Sequence, residues 1–414
     1  MLLADPVVAA AVAGAHRREW ALVLAATVRV AGDLDLAEEY VQDAYAQALV
    51  VWPRTGVPAD AGAWLTTVAR RRALDGLRRK ATLGGKLALL VEPDIVAGPE
   101  LVEPEQIADD RLRLVFTCCH PALAPEAQVA LTLRLVCGLS TAEVARAFLV
   151  PQPTMAARIT RAKKKIAQAG VPYRVPPAEE LPERVEAVLE VVQLLFTTGH
   201  TAPVGTELVR QDLIERSVDL ARMLRALLPA DPNVAGLLAL VLLTDARREA
   251  RVDAAGQLVL LAEQDRDRWD RTAVSEGVAL VREALARRPP GRFALMAAIA
   301  AVHDQAPSWE HTDWAEIVAL YDLLGQLWPA PVVALNRAVA VGFAAGPTAG
   351  LAALDALAGE PQLAGYSYLP AARADFLRRL GRFEDARIGY EEALLLTENT
   401  VEQQFLARRL TQLG

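Results

Sequence analysis

The sequence has few cysteines and no long apolar run. Its three cysteines, Cys118, Cys119 and Cys137, form no disulfide framework, so we expect a reducing, cytoplasmic compartment. No apolar run reaches the roughly 18 residues that a transmembrane helix needs. The N-terminus has no cationic stretch before its apolar run, so it does not resemble a signal peptide. These absences argue against a secreted or membrane protein, and we expect no membrane partner.

Aromatic residues are also scarce, at 5% of the chain, whereas 53% of residues are hydrophobic and 23% are charged. Alanine and leucine dominate and β-branched runs are short, a composition that favours helices over strands. The length of 414 residues allows two to four domains. The sequence therefore predicts an all-α protein with several helical domains.

The net charge of −7 hides an asymmetry between the two parts of the chain. Residues 1–175 hold 21 Lys and Arg against 18 Asp and Glu, whereas residues 176–414 hold 23 against 33. An acidic C-terminal part repels DNA phosphate and is better suited to a protein partner. Any DNA-binding surface is therefore expected in the N-terminal part.

Residues 138–166 have the pattern of a helix-turn-helix. Ser140 and Glu143 form an S-x-x-E capping box that predicts the start of the first helix. Pro151 and Pro153 end that helix and are tolerated in the first turn of the next. The second helix has an apolar stripe opposite a polar and cationic one, as a recognition helix in the major groove requires. The residues expected to contact DNA here are Thr154, Arg158, Arg161, Lys164 and Lys165. The alternative is an ordinary helix with a solvated cationic face.

A second cationic helix is predicted upstream, over residues 64–80. Its apolar side is predicted from Leu65, Val68 and Ala69, with Leu74 and Leu77 continuing that surface. Arginines crowd the rest of the helix, and Asp75 can pair with Arg71 or Arg79 at a spacing of four residues. Trp64 offers an aromatic surface beside which an unstacked base can lie. The candidate DNA-binding residues are Trp64, Arg70, Arg71, Arg78, Arg79 and Lys80. The alternative is an exposed arginine-rich helix with Trp64 in the core.

An acidic helix is predicted over residues 33–52, after a break at Gly32-Asp33. Its polar face would repel phosphate, so a protein docking surface is the better use for it. The candidate docking residues are Asp35, Glu38, Glu39, Gln42 and Asp43. The alternative is an exposed amphipathic helix without a partner.

The last helices resemble a tetratricopeptide (TPR) repeat. Within residues 367–400, Gly381, Ala386, Tyr390 and Ala393 occupy the small and aromatic positions that let paired helices approach closely. The repeat is clear once and degenerate elsewhere. The C-terminal part is therefore expected to be a TPR-like helical domain.

These three N-terminal segments, in this order, resemble the bacterial sigma-70 family, and within it the extracytoplasmic-function (ECF) class. Residues 33–52 resemble region 2.2, residues 63–80 resemble regions 2.3 and 2.4, and residues 138–166 resemble region 4.2. Phrases of the C-terminal part, such as EQDRDRW at 263–269, resemble the TPR-like extension of one ECF subgroup.

The resemblance implies a subunit of RNA polymerase that binds the β′ clamp and β flap of the core enzyme and promoter DNA. Region 2 would capture the −10 element and region 4 the −35 element. The implied domains are region 2 at 1–80, a linker at 81–108, region 4 at 109–172 and the C-terminal extension at 173–414. The extension is expected to modulate the sigma factor or to bind a partner.

We expect no catalytic residue, no cofactor and no metal. Cys118-Cys119-His120 lacks the further ligands that zinc requires, and Gly84-Gly85-Lys86 lacks the P-loop frame. Two other functions remain open. One is a helix-turn-helix regulator that acts without joining the polymerase, and the other is a TPR-type interaction scaffold.

Overall fold

Helices account for nearly all regular structure in the computed structural model, which describes residues 6–84, 104–148, 150–202 and 204–413. The predicted all-α fold is confirmed. The chain divides into an N-terminal unit, residues 1–191, and a C-terminal unit, residues 192–414. Among the described residues, no helix combines the length and apolar character that crossing a bilayer requires.

Three helices open the N-terminal unit, and each packs on the other two. Their bounds are α1 Pro6–Ala31, α2 Leu34–Thr55 and α3 Ala61–Gly84. The predicted break at Gly32-Asp33 is confirmed: Gly32 has φ +67° and the Asp33 carboxylate accepts from the backbone N–H of Leu36 at 2.9 Å. This N-cap fixes where α2 begins.

The core of these three helices is built from small and aromatic side chains. Trp20, Trp52 and Leu65 are almost fully buried. Leu74 and Leu77, which the apolar pattern placed on the same surface, are instead 40% and 41% exposed, and Ala73 takes the buried position. That part of the expectation is wrong, because the small residues Ala73 and Gly76 take the covered side of α3: Ala73 is fully buried, and a Cβ on Gly76 would overlap the Tyr40 hydroxyl oxygen of α2.

Four further helices carry the helix-turn-helix. Their bounds are α4 Pro104–Cys118, α5 Pro125–Leu131, α6 Thr141–Ala147 and α7 Gln152–Gln168. A π-helical segment, Thr132–Val136, extends α5. The linker expected at 81–108 lies mostly outside the described residues, and its two ends belong to α3 and α4.

The C-terminal unit is a succession of helices in which each packs on the next. Helix α8, Leu181–His200, precedes it and runs into it. The remaining bounds are α9 Gln211–Leu227, α10 Pro232–Asp245, α11 Arg271–Leu285, α12 Arg292–Gln305, α13 Trp314–Leu327, α14 Pro331–Ala344, α15 Pro347–Asp355, α16 Tyr368–Arg379, α17 Phe383–Leu396 and α18 Thr400–Thr411. Packing between sequence neighbours is typical of helical repeat proteins.

A short parallel strand pair joins the two ends of the C-terminal unit. β1, Val204–Gly205, pairs with β2, Glu398–Asn399. The fully buried Asn399 amide donates to the carbonyls of Ala202 and Glu207, both at 2.9 Å, while its oxygen caps α18. Both the nitrogen and the oxygen of this buried amide are hydrogen-bonded. The amide thereby connects segments that lie almost 200 residues apart in the sequence.

Candidate nucleic-acid and polymerase interface

Helix α7 presents one apolar and one cationic side, as a recognition helix must. Its buried side consists of Met155, Ile159, Ala162 and Ile166. The DNA candidates Thr154, Arg161, Lys164 and Lys165 are exposed and Arg158 is half-buried. Sequence reasoning missed Met155, although it precedes Ile159 by one turn on the same stripe. The opposite side of α7 is therefore available to a duplex.

The first helix of the motif is fixed by the predicted capping box. The hydroxyl of Ser140 accepts from the Glu143 backbone N–H at 3.2 Å, and the Glu143 carboxylate accepts from the Ser140 N–H at 2.7 Å. Helix α7 begins directly after Pro151. These local rules set the starts of both helices before any long-range packing acts.

Two arginines of α7 are held against the protein surface. The guanidinium of Arg158 lies 5.5 Å from the ring centroid of Phe148, in the turn of the motif. Arg161 Nε donates to the carbonyl of Ala157 at 3.2 Å. A guanidinium that stacks on a ring loses less side-chain entropy when it binds a base edge.

Helix α3 exposes most of the cations assigned to it. Arg71, Arg78 and Arg79 are exposed and Arg70 is half-buried, while the side chain of Lys80 lies outside the described residues. Asp75 pairs with Arg78 at 3.4 Å, rather than with Arg71 or Arg79, and Arg79 Nε donates to its carbonyl at 3.3 Å. The acid therefore orients two arginines at the end of the helix.

Trp64 is neither a fully exposed ring nor a core residue, the two placements that the sequence left open. Its ring is half-buried and lies edge-on to Trp52, with centroids 5.5 Å apart. Part of the indole therefore packs on Trp52 of α2, and the rest reaches the surface. This placement leaves an aromatic surface of limited area for a base.

The acidic residues of α2 differ in their surroundings. Glu39 and Gln42 are exposed, and Asp43 forms an exposed ion pair with Arg72 of α3 at 3.6 Å. Glu38 is instead buried, at 6% exposure, and Asp35 pairs with Lys163 of α7 at 2.6 Å. The candidate docking face is therefore partly open and partly covered.

Two cations that sequence reasoning did not single out cover Glu38. Lys163 Nζ lies 2.7 Å from Glu38 Oε2, and Arg134 pairs with the other carboxylate oxygen. Arg134 is largely buried, and this burial lowers the pKa of its guanidinium. No local sequence pattern predicts these pairs, because Glu38 lies 96 residues from Arg134 and 125 residues from Lys163.

The Cys118-Cys119-His120 segment closes the end of α4. Cys119 Sγ contacts the hydroxyl of Thr132 at 3.5 Å, and burial raises the pKa of its thiol to about 11. His120 Nδ1 accepts from the N–H of Ala122 at 3.1 Å. Each group has a local structural contact, and the thiol stays protonated at neutral pH.

In the C-terminal unit, α16 and α17 form the hairpin that the repeat pattern predicts. Gly381 sits in the turn with φ +76°, which suits a residue without Cβ. Ala386, Tyr390 and Ala393 are buried in α17. The small and aromatic positions of the pattern therefore face the helix partner.

The helix-turn-helix with its outward cations and the separate arginine-rich helix α3 define the class: a helical protein with two exposed cationic helices. Comparison with known families agrees. The family model for sigma-70 region 2 matches residues 16–82 and that for sigma-70 region 4 matches residues 113–166. A family of unknown function, DUF6596, matches residues 184–285.

An uncharacterized protein of Rhizobium meliloti (strain 1021) is 42% identical over 399 residues, which cover 94% of this chain and 93% of that protein. The chain belongs to the sigma-70 family. Its sigma-70 regions 2 and 4 make it a sigma factor for transcription initiation, and they imply binding to core RNA polymerase and promoter DNA.

Proposed function

We propose that this protein is an ECF-class sigma factor with a C-terminal TPR-like domain that modulates its activity or binds a partner. The observation that carries the proposal is the presence of two exposed cationic helices, α3 and α7, in one N-terminal unit. Only residues 83–112 separate the two matched sigma regions, too few for another folded domain. The protein would therefore recognise its promoter with regions 2 and 4 alone.

In this proposal each element has a separate task. Thr154, Arg158 and Arg161 enter the major groove of the −35 element, and Lys164 and Lys165 neutralise phosphates. Trp64 and the arginines of α3 hold the opened −10 strand, with unstacked bases against protein. The exposed acids of α2, above all Glu39 and Asp43, dock on the β′ clamp, and region 4 contacts the β flap.

Transcription with purified core polymerase tests the proposal. We expect the full chain to start transcripts at defined positions on a library of promoter templates. Asp43→Arg should weaken core binding, whereas Glu179→Arg, which reverses an exposed acid outside region 2, should not. If the chain yields no transcript and Asp43→Arg binds core as wild type does, the result contradicts the sigma factor proposal. It then favours a helix-turn-helix regulator that acts without joining the polymerase.

The TPR-like role is supported by an apolar strip on α17. Ile388 and Leu395 are 65% and 87% exposed and lie seven residues apart, on one face of the helix. Two apolar side chains exposed on one helix face offer a contact to a protein partner. We expect Ile388→Asp with Leu395→Asp to change transcript yield in the full chain, whereas Leu323→Asp, at an exposed leucine of α13, should not. If the double variant and wild type give equal transcript yields, the C-terminal unit does not act through this face of α17.

A further inference from the structure

Two cations of region 4 pair with two of the acids assigned to polymerase docking, and they bury one of these acids, Glu38. Lys163 Nζ lies 2.6 Å from Asp35 Oδ1 and 2.7 Å from Glu38 Oε2, and Arg134 pairs with the second oxygen of Glu38. The side chains of Lys163 and Glu38 are only 9% and 8% exposed. Lys163 thus points away from the DNA side of α7, where Lys164 and Lys165 are exposed.

The cluster belongs to a wider contact between regions 2 and 4. The indole N–H of Trp20 in α1 donates to the carbonyl of Leu135 at 3.0 Å, and the Arg134 guanidinium lies 5.8 Å from the Trp20 ring centroid. Tyr173, which follows region 4, adds a contact to α1: its hydroxyl donates to the carbonyl of Ala25 at 2.9 Å. The buried indole donor of region 2 is therefore satisfied by a carbonyl of region 4.

We propose that this contact is autoinhibitory: region 4 masks the docking face of region 2 until core polymerase displaces Lys163 and Arg134. This inference rests on the proposed function of α2. While Lys163 bridges the two acids, the buried carboxylate of Glu38 cannot accept bonds from polymerase cations, and one oxygen of the exposed Asp35 carboxylate is already paired. Glu39 and Gln42 stay exposed, so they offer the first contact from which displacement can proceed.

The masking sets the apparent affinity for core enzyme. A protein whose binding-competent state is only fractionally populated binds with an affinity reduced by that fraction. Removing the Lys163 charge destabilises the masked state, in which the buried Glu38 carboxylate loses a partner. It does not affect the unmasked state, in which both carboxylates are hydrated, so the unmasked fraction rises. Loss of Lys163 should therefore tighten core binding, although it removes a positive charge from a DNA-binding domain.

The test compares Lys163→Ala with wild type in the full chain, with core polymerase and without DNA. We expect core binding on the order of ten-fold tighter, together with faster hydrogen exchange in α2 and α7 of the free protein. Lys163→Gln, which keeps the aliphatic stem but not the charge, should act in the same direction. Lys163→Arg should restore wild-type affinity, and Arg17→Ala, at an exposed cation of α1, should not alter it.

The outcomes separate the two proposals. Core binding by wild type with equal or weaker binding by a folded Lys163→Gln overturns the masking and leaves the sigma factor assignment standing. No core binding by wild type, Lys163→Ala and Lys163→Gln alike removes the docking role of α2, and the masking with it. Tighter binding without faster exchange in α2 also overturns the masking, since the contact then was never opened.

Discussion

The indole N–H of Trp20 donates to the carbonyl of Leu135 at 3.0 Å and so links α1 to the segment before the helix-turn-helix. Three residues further on, Gly138 has φ +72°, and a Cβ there would lie 2.9 Å from two carbon atoms of the Trp20 ring. The turn into α6 therefore requires glycine for two reasons, namely its left-handed backbone conformation and the close approach of Trp20.

Gly138→Ala should destabilise the N-terminal unit. The left-handed backbone and the contact with Trp20 together should cost about 1–3 kcal/mol of unfolding free energy. Denaturant unfolding followed by tryptophan fluorescence measures the loss.

Gly170→Ala is the matched control for that change. Gly170 also has a left-handed backbone, φ +60°, but nothing lies within 4 Å of a Cβ built on it. It should show the backbone cost alone, about 1 kcal/mol. Equal losses at the two glycines would mean that Trp20 does not restrict the turn.

Ser140→Ala should weaken the start of α6. The variant removes the hydroxyl that accepts from the Glu143 N–H, and loss of such a cap costs about 0.5–2 kcal/mol. Thermal unfolding of the full chain should show a lower midpoint, while Ser140→Thr, which keeps a hydroxyl, should stay near wild type. A midpoint unchanged in Ser140→Ala would show that the capping box contributes nothing measurable.

The cations of α7 should separate into two kinds in DNA binding. Lys164→Ala should weaken matched and mismatched −35 duplexes equally and lower the slope of log K against log salt by about 0.9, because one phosphate contact is lost. Arg158→Ala should instead reduce the preference for the matched duplex by about 1–3 kcal/mol. Titrations of labelled duplexes at several salt concentrations measure both. The same response from both variants would contradict the assigned roles.

Asp304 in α12 should make the stability of the C-terminal unit depend on pH. Burial raises the pKa of this carboxyl to about 6, against the lowering effect of Arg247, whose Nε lies 3.6 Å away. Because the folded state holds the proton more tightly than the unfolded state, stability is lost as pH rises from about 4 through 6.

Asp304→Asn should remove that part of the pH dependence. Between pH 4 and pH 7, the unfolding free energy of the variant relative to that of wild type should rise by about 3 kcal/mol. Comparing the two proteins by hydrogen exchange of α12 across this range cancels the titration of other groups. A difference that does not change with pH would mean that Asp304 ionises normally in the folded state.

Local patterns in the sequence predicted much of this molecule correctly. The capping box at Ser140, the break at Gly32-Asp33 and the apolar stripe from Ile159 to Ile166 act within a few residues, so they are visible without any tertiary information. The same periodicity failed at Leu74 and Leu77, because the small residues Ala73 and Gly76, rather than these leucines, face the neighbouring helices.

The sequence by itself determined the all-α fold, the helix-turn-helix and the sigma-70 resemblance, since these follow from helix periodicity, caps and ordered motifs. Only the tertiary structure decided that Lys163 and Arg134 cover Glu38. The helix period already places Lys163 beside the apolar stripe of Ile159 and Ile166, but it does not identify the acids that Lys163 meets. The fold decides that, because such an ion pair forms only where two distant segments place opposite charges within reach.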